Sequence, residues 1–132
     1  MSSIFTKIIN GDIPSYKIAE DENYYAFLDI NPMSKGHTLV VPKIEVDYIF
    51  DLSDENYEGL MKFSKKVSTA IEAVIPCNRI GLMVFGLEVP HAHVHLIPIN
   101  EAIDMSITKP KLKLPKEEFE EIAKQVSSKM TY

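Results

Sequence analysis

The sequence predicts an α+β domain built on a five-stranded antiparallel sheet, with a long central helix and a C-terminal helix. Three observations predict it. Five short β-branched or alternating runs are each bounded by turn residues. One long stretch carries an apolar stripe at helical spacing. The helices fall at the two ends and in a single excursion, rather than after every strand as a parallel sheet requires.

Taken in order, Ile4, Ile8 and Ile9 have helical spacing and predict a short first helix, stopped by Asn10-Gly11. Strands are predicted over residues 16–19 and 24–28, divided by the acidic turn Glu20-Asp21-Glu22-Asn23. Asn31-Pro32 opens a loop that runs through Lys35-Gly36. Residues 37–41 are β-branched and apolar, and Pro42 closes them as a third strand. Ser53 is placed to cap the long helix, with Asp54 and Glu55 against the positive end of its dipole. Leu60, Phe63, Val67, Ile71 and Val74 form its stripe, and Pro76 lies just past its end.

Residues 79–85 and 91–99 read as the last two strands, joined by Gly86-Leu87-Glu88-Val89-Pro90. Residues 109–116 alternate lysine, proline and leucine and read as an extended arm. Beyond Pro115, Phe119, Ile122, Val126 and Met130 define a second amphipathic helix, docked on the sheet or on a partner subunit. No repeat or flexible linker divides the chain. Residues 1–132 therefore read as one domain, with 103–132 as its C-terminal arm and helix.

Composition narrows the function. With 45% hydrophobic and 25% charged residues, the chain can fold around a core without disulfides or a metal. A formal net charge of −5 argues against sequence-independent nucleic-acid binding, which needs a basic surface. It leaves room for a small anionic ligand in a locally positive site. The single cysteine, Cys77, reads as a small semi-buried residue rather than a nucleophile. The opening residues lack the basic start and apolar run of a secretory signal, and no apolar stretch is long enough to span a bilayer. A cytoplasmic protein with no membrane partner is expected.

The chemistry is concentrated in His91-Ala92-His93-Val94-His95-Leu96-Ile97. On a strand, side chains alternate faces, so three imidazoles project to one side, about 6–7 Å apart, while Ala92, Val94 and Leu96 project to the other. Three readings compete for this pattern. The rings decorate an exposed face; or they hold a metal, with Glu88, Glu101 or Asp104 as further ligands; or one is a nucleophile held in one tautomer by its neighbours.

These residues resemble the signature of the histidine triad (HIT) superfamily, His-φ-His-φ-His-φ-φ with φ apolar. The segments IINGDIPS, FLDINP and GHTLVVPK, in that order, are similar to its bacterial Hint-like branch. The resemblance implies a HIT fold. It also implies a nucleotide hydrolase or transferase acting on nucleoside phosphoramidates or dinucleoside polyphosphates, through a covalent nucleotidyl-histidine. It makes His93 the nucleophile, His95 a holder of the α-phosphate, His91 a residue shaping the site, and His37 their support. Asp29 would bind the ribose, and Phe5, Ile8, Phe27, Leu28 and Ile30 would enclose the base. Relatives are generally homodimers, so a homodimer is expected, and no cofactor.

Two departures stand out. Where many bacterial relatives hold a structural zinc, this chain has Ser3, Thr6, Glu45 and His91, so no structural metal is expected. In the loop before the triad, Gly86 matches but Leu87 replaces a glutamine and cannot donate a hydrogen bond. Glu88, which follows, is a candidate general acid toward the leaving group. The altered loop also leaves open a nucleotide-binding protein, regulatory or scaffolding, with weak or no turnover.

Overall fold

The computed structural model describes residues 2–132. Helix α1 (Ile4–Ile9) is capped by the Ser3 hydroxyl, which accepts from the Thr6 N–H, and Gly11 leaves it at a φ of 85°. Strands β1 (Lys17–Glu20), β2 (Tyr24–Leu28) and β3 (Thr38–Pro42) form a meander. Helix α2 (Asp54–Glu72) starts at Ser53, whose hydroxyl accepts from the Asn56 N–H. Strands β4 (Arg79–Met83) and β5 (Val94–Ile99) follow, then helix α3 (Lys116–Ser128). The five strands lie in the order β1-β2-β3-β5-β4 and pair antiparallel throughout.

Several strand ends differ from the sequence expectation, by one to three residues; β3, for example, takes in Pro42 and begins at Thr38. Strand β5 begins at Val94 rather than at residue 91, and β4 stops at Met83 rather than at residue 85, because Met83↔His95 is their last register pair. Beyond it, Gly86 at a φ of 75° turns the connecting loop away from the ladder. Strand β1 lies one residue later than expected, with a register irregularity between Lys17 and Ala19. Two short 3₁₀ turns, Ile49–Asp51 and Ala102–Met105, carried no periodic signal in the sequence. Val74 and Met130 continue their stripes just past the ends of their helices.

The sheet separates two cores. On one face Ala26, Leu28, Val40, Val94 and Leu96 pack with Leu60, Phe63 and Val67 of α2 and with Phe119, Ile122 and Val126 of α3. On the other face a smaller cluster joins Phe5 and Ile8 of α1 to Tyr25, Phe27, Leu39 and Val41. Burying both faces stabilises the strands and fixes which side each residue occupies, since a one-residue slip would exchange the faces. Among the described residues, no helix is long and apolar enough to cross a membrane.

Helix α2 approaches β2 closely at Gly59. A Cβ there would collide with the Tyr24 ring and hydroxyl, and that hydroxyl is held by donating to the Asn56 carbonyl at 3.2 Å. Alanine is the better helix former, yet Gly59→Ala is expected to lower stability by about 1–3 kcal/mol through overpacking. Denaturant melts check this, and adding Tyr24→Phe should recover part of the loss.

Candidate functional site

The alternation of β5 extends back through residues outside the ladder. Ala92 is buried and its N–H donates to the Val46 carbonyl at 2.7 Å, while the His91 N–H donates to the Val89 carbonyl at 2.8 Å. With Ala92, Val94 and Leu96 held in the larger core, His91, His93 and His95 emerge together on the α1 side of the sheet. The His93 and His95 ring centroids lie 5.0 Å apart. Phe5 meets His93 edge-on, centroids 4.9 Å apart, and His91 at 5.8 Å.

The hydrogen-bond partners assign each ring a tautomer. His93 Nδ1 lies 2.8 Å from the His91 carbonyl, which only accepts, so Nδ1 carries the proton and Nε2 keeps a free lone pair. His91 Nε2 lies 2.7 Å from the Pro42 carbonyl and donates to it, so its Nδ1 accepts from the Ser3 hydroxyl at 2.7 Å. His37 Nδ1 accepts the Met33 N–H at 3.0 Å, so its Nε2 donates to His95 Nδ1 at 3.0 Å. His95 is thereby left with a proton on Nε2. The triad presents one nucleophilic nitrogen beside one N–H donor.

Burial keeps these rings neutral. It pushes the His37 pKa down to about 3, with His95 and Lys111 adding repulsion, and the His95 pKa down to about 4, with His93 adding repulsion. The His93 and His91 pKa values are also lowered, first by burial. Burial raises the pKa of Asp29, against the Asn31 N–H that one of its oxygens accepts at 2.9 Å.

A cavity of about 340 Å³ opens beside the rings, lined among others by Asp29, His37, His93, His95 and Glu88. The other expected residues divide. Phe5, Ile8 and Phe27 pack in the small core behind the rings and do not line the cavity. Leu28, which the resemblance placed around the base, is turned by the two-residue strand period into the larger core on the opposite face of the sheet. Ile30 is 64% exposed and is also outside the cavity wall. His91 is buried and braces its neighbours rather than lining the cavity. Phe85, Met33, Ile107 and Lys111 line the cavity without having been expected there. The lysine-rich composition of the arm was the sequence signal for Lys111, but nothing in it showed where the arm would fold.

Ser3, Thr6, Glu45 and His91 do converge, and hydrogen bonds join them. Glu45 Oε1 accepts from the Ser3 N–H at 2.7 Å and from the Thr6 hydroxyl at 2.6 Å, while Ser3 donates to His91. Hydroxyls are poor zinc ligands, whereas they suit this network. Among the described residues, only Asp29, His37 and His95 bring three potential ligand atoms within 4.8 Å of one another. The His37–His95 pair in that trio is already joined by a hydrogen bond.

A family profile described as the HIT domain matches residues 10–102. An uncharacterized HIT-like protein of Borreliella burgdorferi is 38% identical over 132 residues, covering 94% of this chain and 95% of its own. An adenosine 5′-monophosphoramidase of Schizosaccharomyces pombe is 39% identical over 133 residues, covering 98% and 99%. The crystal structure of a Hit-like protein involved in cell-cycle regulation from Bartonella henselae superposes with a TM-score of 0.87 at 32% identity, covering 98% and 96%.

The neutral rings make stability depend on pH with a definite sign. His37 and His95 have folded pKa values below the ordinary 6.5, so the unfolded chain binds protons first as pH falls. Their contribution is complete above about pH 6.5 and is lost as pH falls toward 4 and then 3. Calorimetry should find Tm steady from about pH 7 to 8 and lower by about 5 °C or more at pH 4.5. A smaller decline is expected for His37→Asn.

Proposed function

The chain belongs to the HIT family, and from that premise we propose that it is a nucleotide hydrolase or transferase using His93 Nε2 as its nucleophile. The single observation that carries the proposal is the His93 tautomer. Its Nδ1–H is engaged by the His91 carbonyl at 2.8 Å, so the lone pair on Nε2 is available in a cavity that also contains Asp29 and His95. The relative named adenosine 5′-monophosphoramidase supports nucleoside phosphoramidates as substrates; dinucleoside polyphosphates are the second class this reading takes in.

In this reading Nε2 attacks the α-phosphorus, the leaving group departs, and water then cleaves the phosphorus–nitrogen bond to release a nucleoside monophosphate. The His95 Nε2–H donates to a phosphoryl oxygen, and no metal is required for that contact. Asp29, in the cavity wall beside His93, accepts from the ribose hydroxyls. Phe5, itself packed edge-on against Phe27, holds the His93 ring from behind, and the base lies over the apolar side of the site. Glu88 is exposed on the wall and, when protonated, serves a leaving amine as general acid. Leu87, 89% exposed, has no side-chain donor to offer, which favours a second reading in which nucleotide is bound with little turnover.

Hydrolysis of a fluorogenic adenosine phosphoramidate decides between them. We expect turnover that persists with chelator and falls at least about 10³-fold in His93→Ala. An unchanged pH–rate profile in Glu88→Gln would remove the acid role alone. Tight nucleotide binding with no turnover in the native protein would establish the second reading.

We also infer a homodimer. Strand β4 is a free sheet edge carrying Leu82 at 48% exposure, and a second copy would cover both the apolar side chain and the unpaired backbone. Light scattering should report twice the 15.0 kDa chain mass at micromolar concentration, and Leu82→Lys should shift it toward the monomer. A monomer in the native protein refutes this.

A further inference from the structure

The C-terminal arm folds back over the cavity of its own chain. Leu112 N–H donates to the Pro32 carbonyl at 2.8 Å, next to Asn31 in the cavity wall, and Lys35 pairs with Glu118 of α3 at 3.0 Å. These ties set Ile107 and Lys111 into the wall. The Lys111 ammonium donates to the Ile107 carbonyl at 3.2 Å and, among the described residues, has no carboxylate within salt-bridge distance. The neighbouring Lys109 differs: it is paired with Asp104 at 3.0 Å and lies outside the cavity wall.

The charge in the cavity makes this lysine unusual. Asp29 and Glu88 are in the wall, and Lys111 is its only lysine or arginine. Burial lowers the His93 and His95 pKa values, so neither ring brings a positive charge of its own to meet a polyanion. A nucleotide bearing a second or third phosphate would meet two carboxylates with one cation to offset them.

We propose that Lys111 forms a subsite for an anionic leaving group, selecting substrates whose α-phosphate is joined to further phosphate rather than to an amine. The proposal rests on the function proposed above and adds its substrate class. His93 Nε2 forms the nitrogen–phosphorus bond as the bridging phosphorus–oxygen bond breaks. The electron pair leaves on the departing phosphate, which gains one negative charge near Lys111. Water then forms the oxygen–phosphorus bond as the nitrogen–phosphorus bond breaks, its proton passes to solvent, and His93 returns neutral. An amine leaving group takes up a proton and departs without that added charge, so it draws less on the lysine.

The test compares the native protein with Lys111→Gln and Lys111→Arg. We read the ratio of kcat/KM for diadenosine polyphosphate to that for adenosine phosphoramidate, and the ratio of ATP to AMP affinity by calorimetry. Lys111→Gln is expected to lower both ratios about tenfold or more, the scale of one lost charge-assisted contact. Lys111→Arg should keep them within about threefold. Unchanged ratios, or a parallel loss for both members of each pair, overturn the subsite. If the native protein turns over neither substrate but Lys111→Gln lowers the ATP:AMP affinity ratio, the hydrolase reading fails and the subsite stands. If the native protein binds no nucleotide, both fall.

Discussion

The site depends on the inability of β5 to slip. Ala92, Val94 and Leu96 are buried in the larger core, where α2 covers β5, and Ala92 is pinned beyond the strand's end by its bond to Val46. Shifting this segment by one residue would drive imidazoles into an apolar core and expose the aliphatic side chains, a cost of several kcal/mol (about 1.5–3 per aliphatic side chain). The larger core thus orients the rings on the far side of the sheet. Helix α1 completes the arrangement, with Phe5 against the His91 and His93 rings.

Orientation alone does not select a nucleophile, because an imidazole can present either nitrogen. Selection comes from backbone groups that do not change role. The Met33 N–H can only donate and the His91 and Pro42 carbonyls can only accept, so the rings between them have one consistent proton arrangement. Neutrality follows from burial, which disfavours the imidazolium. A buried neutral ring costs little when both nitrogens have a use, and each ring of the set either is bonded at both or faces the cavity with the remaining one.

Hydrogen bonds among Ser3, Thr6, Glu45 and His91 bind the first helix to the loop after β3 and to the triad. The Ser3 hydroxyl serves twice, accepting the Thr6 N–H that opens the helix and donating to His91. The start of α1 and the His91 tautomer are consequently coupled. The arm closes the other side of the cavity through the bond between Leu112 and Pro32, so residues at the two ends of the chain meet around the same rings.

Much of this protein was legible in its sequence because periodicity is local. The stripe of α2, the five strands and the common face of the three histidines follow from residue spacing alone, and tertiary packing moved only their ends. Asp29, at the end of an apolar strand, was legible as a carboxylate in need of partners. The facing of Leu28 was readable from the same alternation that placed the histidines, but the resemblance assigned it to the base and the core holds it. Which nitrogen of each ring carries the proton, where the arm lies and that Lys111 enters the cavity were decided only by the tertiary structure. Each depends on contacts between segments far apart in the chain, such as Met33 to His37 to His95 and Leu112 to Pro32, and no local repeat encodes them.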